Sequence, residues 1–224
     1  MTLETIINDF LNEEYSFFKY RDKDGNDIYV RLDFESHHDF FQQYMNYYRE
    51  QPSLSDLLVD ATQGIIKITQ RDNKVYYIRH PHQEVFKDRE GHQRGIPVEI
   101  ANAVKENLLS HKDELYICET FSEIMNIVEK CKVRGFGELA IYDTAVRIGA
   151  FLKIEPDRVY LHAGTREGIK TLEEKGYLAK GSHKQKSLSI SEMPKSMHKL
   201  SADEIQHFAC AKKEILHALD DNNG

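Results

Sequence analysis

The sequence is poor in three things, and each shortage excludes a class of protein. Cysteine is the first: Cys118, Cys131 and Cys210 are the only three in 224 residues. They are too scattered for a disulfide framework or a cysteine-only metal site, and each falls in a stretch of helical character, as buried reduced thiols do. Long apolar runs are the second. Nothing approaches the roughly 18 to 20 consecutive apolar residues that a membrane span requires, and the opening MTLETIINDF carries acids where a signal peptide carries a basic region. A cytoplasmic protein without a membrane partner is the expectation. The third is positive charge: 30 basic against 37 acidic residues leave a net charge of -7, which opposes non-specific nucleic-acid binding unless the positive charge is segregated. Residues 170–199 do segregate it, with Lys170, Lys175, Lys180, Lys184, Lys186, Lys195 and Lys199 and no arginine or aspartate.

What is present is enough for a core. At 40% hydrophobic residues, a chain of this length builds one large domain or two small lobes. The expected fold class is mainly α with one or two small β-hairpins. An N-terminal α+β part (1–97) precedes a helical part (98–224) carrying a helix-hairpin-helix at 120–153, and the two form one compact unit. Apolar spacing predicts a helix from Leu3 to about Tyr15. Strands at Phe17–Arg21 and Ile28–Leu32 flank Asp24-Gly25, which supplies the positive φ of a hairpin turn. Asp22, Asp24 and Asn26 do not make a calcium loop, because the glycine is at the fourth position and no glutamate closes the loop. Ser36 caps an aromatic-rich helix to Arg49, Ser53 starts another, and strands at Ile65–Thr69 and Val75–Arg79 make a second hairpin. The polar stretch from His80 to Pro97 holds His80, His82 and His92. Pro81 parts the first two, the third is ten residues on, and no cysteine is near, so hydrogen-bonding or exposed histidines are expected here rather than a metal site. Helices dominate from Val98, with capping boxes at Thr120/Glu123 and Ser201/Glu204. Residues 181–196, rich in serine and lysine, read as a loop.

The informative run is Val133 to Gly149. A helix ends near Lys132, Gly135 and Gly137 make a tight turn, and a second helix follows at once with Ile141, Ala145, Ile148 and Leu152 on one stripe. Glycines there expose amide N–H groups at a helix N-terminus, where partial positive charge favours a phosphate. Such a contact positions a nucleic acid without reading its sequence.

Val133, Gly135, Phe136 and Gly137, followed by the second helix and Val159-Tyr160-Leu161-His162, resemble the helix-hairpin-helix DNA glycosylase superfamily over residues 120–175. The same residues also look like a group of bacterial proteins from which no activity carries over. The resemblance implies a DNA-binding hairpin. It also implies a catalytic aspartate and, in the lyase branch, a lysine, but these positions fall at Tyr160 and Leu139, so binding is a better expectation than base excision. The iron–sulfur cysteines of some members are absent, and no cofactor is expected.

Around the hairpin lies a polar set: Glu138, Tyr142, Asp143, Arg147, Tyr160, His162, Thr165 and Arg166. Asp143 and Arg147, four apart, suit either a helix-surface ion pair or a functional pair. His162-Ala-Gly-Thr165-Arg166 suits either an anion site at a helix start or a turn with a Thr165 cap. The candidate catalytic residues are Asp143 and His162, and the candidate nucleic-acid or anion contacts are Gly135, Gly137, Arg147, Thr165 and Arg166. The leading expectation is therefore a protein that binds DNA through backbone phosphates. The alternatives are an enzyme on a small phosphorylated or nucleotide-like ligand at Arg147, His162, Thr165 and Arg166, and a helical module that binds a protein partner through the aromatic helix at 36–49.

Overall fold

The local signals set most of the elements. In the computed structural model, which describes residues 1–87 and 89–221, ten α-helices alternate with four separate two-stranded sheets. The mainly α expectation holds, with more hairpins than the one or two anticipated. Asp88 of the segment 80–97 and residues 222–224 of the expected C-terminal part lie outside the described residues. No helix among the described residues is long and apolar enough to cross a membrane.

The chain divides into two units, and the division does not fall at residue 97 as expected. One unit comprises residues 1–15, 34–41 and 156–224, and the other 16–33 and 42–155. Sequence continuity suggested a single cut because each expected half holds its own regular elements. Partition follows packing instead, and the chain changes unit at both ends of its first β-hairpin, within one helix and before Pro156.

In the first unit, α1 (Leu3–Asn12) is capped by Thr2 and buries Ile6, Ile7 and Phe10 against Val159, Ile169 and Phe208. Strand β7 (Arg158–Tyr160) pairs antiparallel with β8 (Ser187–Ser189). The stretch 181–196, read as a loop, thus holds a strand and 3₁₀ turns. Glu173 holds its start, accepting from the backbone N–H groups of Gly181 and His183 and from the His183 ring. Helix α8 (Ala163–Glu174) packs on α9 (Ala202–Ala211), whose capping box at Ser201 and Glu204 is formed as expected. Closeness requires small residues: a Cβ on Gly164 would lie 2.5 Å from Cys210 Sγ and one on Gly168 2.2 Å from the Ala209 carbonyl oxygen. Gly164 and Gly168 are therefore explained by helix packing.

In the second unit, β1 (Tyr15–Arg21) pairs with β2 (Asp27–Phe34) around a turn in which Asp22 accepts from the N–H groups of Asp24 and Asn26. Strands β3 (Ile65–Thr69) and β4 (Val75–Arg79) pair from Ile65↔Arg79 to Thr69↔Val75. Two short strands, β5 (Phe86–Lys87) and β6 (Gln93–Arg94), form a hairpin inside the polar stretch. Ser36 and Ser53 start α2 (His37–Arg49) and α3 (Leu54–Gln63) as expected. Helix α2 passes from the first unit into the second after Phe41, and its aromatic stripe is buried in both parts, Phe40 and Phe41 in the one and Tyr44 and Tyr48 in the other, so it is not an open surface for a partner. Helices α4 (Val98–Ser110), α6 (Phe121–Cys131) and α7 (Glu138–Leu152) pack together with α3, and a short α5 (Lys112–Tyr116) links α4 to α6.

Candidate functional site

Helices α6 and α7 pack on one another and are joined by a short turn over residues 132–137. Thr120 and Glu123 close a capping box at the start of α6, and Phe121, Ile124 and Val128 bury its apolar stripe. The two glycines of the turn do different work. Gly135 has φ +96°, where a side chain is strained, and a Cβ there would lie 2.6 Å from Ile100 Cδ1. Gly137 caps α7 in an extended conformation open to any residue (φ -81°, ψ 176°), with no side-chain cap. A Cβ on it would meet nothing within 4 Å. Phe136, buried between them, anchors the turn to the core.

The turn faces solvent. Arg134, Gly135, Gly137 and Glu138 are exposed, and the first intrahelical bond of α7 runs from the Ile141 N–H to the Gly137 carbonyl. The preceding amides of the first turn therefore have no helical acceptor, as at any helix start. Of the nearby cations, Lys130 and Lys132 pair with Glu114 and Glu129, which discounts both as free charge. Arg134 makes no ion pair among the described residues.

Further along α7 the structure brings Asp143 and Arg147 together, but inside the protein rather than on a helix surface. Arg147 is fully buried. Its Nε donates to Tyr44 Oη at 2.6 Å, Nη1 to the Ala61 carbonyl at 2.7 Å and Nη2 to Gln83 Oε1 at 3.1 Å. Its Cζ lies 5.5 and 5.8 Å from the ring centres of Tyr44 and Tyr48. Nη2 stands 3.8 Å from Asp143 Oδ2, an ion pair without a hydrogen bond. Burial pushes the Tyr44 hydroxyl up to about 12 against the opposing charge of Arg147, keeping it neutral. Arg147 was expected to meet an anion; its donors serve this buried network instead.

Asp143 reaches the other way, to the polar stretch. His82 Nδ1 donates to Asp143 Oδ2 at 3.1 Å, and the His82 backbone N–H donates to His80 Nδ1 at 3.3 Å. The two imidazole centres are 4.5 Å apart, and His80 stacks on Tyr44 at 5.4 Å. Burial raises the Asp143 pKa. The His82 hydrogen bond and the charges of His82, Arg147 and His80 outweigh that and hold the carboxyl below the usual range, so it is ionised. A carboxylate that orients a partly exposed imidazole is a general-base arrangement. The sequence had left its partners His80 and His82 as hydrogen-bonding or exposed histidines, and Gln83, which accepts from Arg147, carried no signal. No local cue pairs a histidine with a helix 61 positions away.

The remaining candidates belong to the other unit. His162 is buried and stands at the N-cap of α8, which begins at Ala163 rather than at Thr165. Thr165 lies inside the helix, and its hydroxyl donates to the Gln206 carbonyl at 3.3 Å instead of capping. Arg166 staples its neighbours: its guanidinium donates to the carbonyls of His183, Gln185 and Leu161 at 2.5, 3.0 and 2.6 Å. The expected anion cluster thus loses both guanidinium groups to internal carbonyls and side chains, and with them the main support for the phosphorylated-ligand alternative. Many lysines of 170–199 are exposed, but Lys170 and Lys175 pair with Glu174 and Asp221.

No family model, curated protein or solved structure matches the chain.

Proposed function

We propose that this protein binds nucleic acid through its phosphate backbone at the α6–α7 turn. The carrying observation is the exposed turn itself: Gly137 with open space beside it, an unpaired Arg134 three residues before it, and a helix N-terminus without a side-chain cap. Free N–H groups, the positive end of α7 and a guanidinium suit a phosphate, and the lack of a side chain at Gly137 admits a sugar–phosphate chain. The resemblance of Val133 to Gly137 to the helix-hairpin-helix glycosylases points the same way. A second surface of the same unit suits the same ligand class. On the β1–β2 hairpin the Phe18 and Tyr20 rings lie 5.5 and 5.6 Å from that of Tyr29, and all three are exposed, as bases stacking on a single-strand platform require.

Gly137 makes the test clean, because its backbone accepts any residue and its surroundings leave room. Gly137→Glu places a carboxylate on the anion position without disturbing the fold. In fluorescence anisotropy at low salt, the parent should bind a short duplex with an affinity that falls as salt rises. Gly137→Glu should lose roughly tenfold or more, and Arg134→Ala a few-fold, in line with one lost charged contact. No binding to duplex, single-stranded or abasic DNA at low salt overturns the proposal.

A further inference from the structure

The His80, His82 and Asp143 cluster offers more than an acid–base pair. Each of the three side chains presents one ligand atom, and these atoms all lie within 4.8 Å of one another. His82 Nδ1 and Asp143 Oδ2 are 3.1 Å apart, close to the roughly 3.3 Å edge that bonds of 2.0–2.1 Å make about a tetrahedral metal. A proton on His82 now occupies the place between them. Asp143 is a buried carboxylate that accepts a single hydrogen bond among the described residues and has its guanidinium neighbour at 3.8 Å. Buried carboxylates ordinarily satisfy more of their acceptor sites than that.

We infer that His80, His82 and Asp143 form a binding site for one divalent transition-metal ion of the zinc class. Two imidazoles and a carboxylate select zinc, cobalt or nickel over magnesium and calcium, which prefer all-oxygen sets. Three protein ligands leave a coordination position open, as in catalytic rather than structural sites. The His82 side chain is 35% exposed, so that position is reached from solvent. Pro81 lies in the turn that joins the two histidines, where the Gln83 and Glu84 N–H groups donate to the His80 carbonyl. Arg147, held by Tyr44, Ala61 and Gln83, places a buried positive charge 3.8 Å from Asp143 Oδ2. Binding displaces the His82 Nδ1 proton to solvent, and no electron transfer is involved.

The site is tested by titrating the full chain, cleared of metal with a chelator, with Co²⁺ and then Zn²⁺, without nucleic acid. One equivalent of Co²⁺ should give visible d–d absorption of a four- or five-coordinate ion, and Zn²⁺ should displace it. Mg²⁺ should do neither. His80→Ala and His82→Ala should each weaken binding by at least about tenfold, while their metal-free circular dichroism keeps the parent's helical signal and their unfolding stays cooperative, at a somewhat lower Tm because each loses a contact of the cluster. Asp143→Asn should do the same. Its fold is at greater risk, so the two histidine variants carry the decision. Absence of saturable one-to-one binding, or an affinity unchanged in both histidine variants, overturns the inference. Because no nucleic acid is used, failure here leaves the turn-binding proposal standing, and the reverse also holds.

Discussion

Replacing Arg147 by methionine tests whether the buried network is as structural as its geometry says. The side chain keeps much of its volume and loses its charge. Three hydrogen bonds, to Tyr44, Ala61 and Gln83, disappear, and the Asp143 carboxylate, whose side chain is 11% exposed, loses its guanidinium neighbour and keeps only the histidines. Removing one member of a buried ion pair costs about 3–5 kcal/mol, and stranding the Ala61 carbonyl adds to the upper end of that range. For a chain of this size about 4 kcal/mol lowers Tm by roughly 8–16 °C. Asp143→Asn should also destabilise, because it strands the guanidinium. The double variant should be milder than the sum of the two by about 1–3 kcal/mol, the coupling expected of directly interacting groups. Thermal unfolding followed by circular dichroism, with urea unfolding as a second reading, measures all three. An Arg147→Met Tm within about 3 °C of the parent, or strict additivity in the double variant, refutes the reasoning.

Two further outcomes follow from packing and titration. Gly168→Ala puts a Cβ within 2.2 Å of the Ala209 carbonyl oxygen, so α8 and α9 must part; a loss of about 1–3 kcal/mol is expected, and unaltered stability contradicts it. His37 lies against Tyr15, ring centres 3.5 Å apart. Burial first, and the charge of Lys212 second, lower its pKa to about 4. The unfolded chain then takes up this proton near pH 6.5 while the folded chain resists, so the contribution is complete above about pH 6.5 and lost as pH falls toward 4. His37→Phe should flatten stability over that window, and an unchanged acid slope rules the attribution out.

How far the sequence could be read depended on distance along the chain. The β3 and β4 boundaries, the Ser36, Ser53, Thr120 and Ser201 caps and the helices α6 and α7 were legible because each rests on periodicity or on partners three or four residues apart. Strand β8 was not, since Ser187-Leu188-Ser189 is too short to show alternation and exists by pairing with Val159. Thr165 looked like a cap, yet α8 starts two residues earlier and close packing through Gly164 and Gly168 sets its path. The Asp143 and Arg147 spacing was read correctly as a pair but placed on the surface, because nothing local reveals that Tyr44, 103 positions away, waits for the guanidinium. For the same reason His80 and His82 read as isolated polar residues until α7 brought Asp143 to them.

The most direct test of phosphate binding at the α6–α7 turn is an amide-resolved NMR titration of the ¹⁵N-labelled chain with a short DNA duplex at low salt. Shifts should concentrate on the amides of residues 134–140 and vanish in Gly137→Glu. Saturable binding that leaves those amides unmoved, with shifts confined to other parts of the chain, contradicts the account.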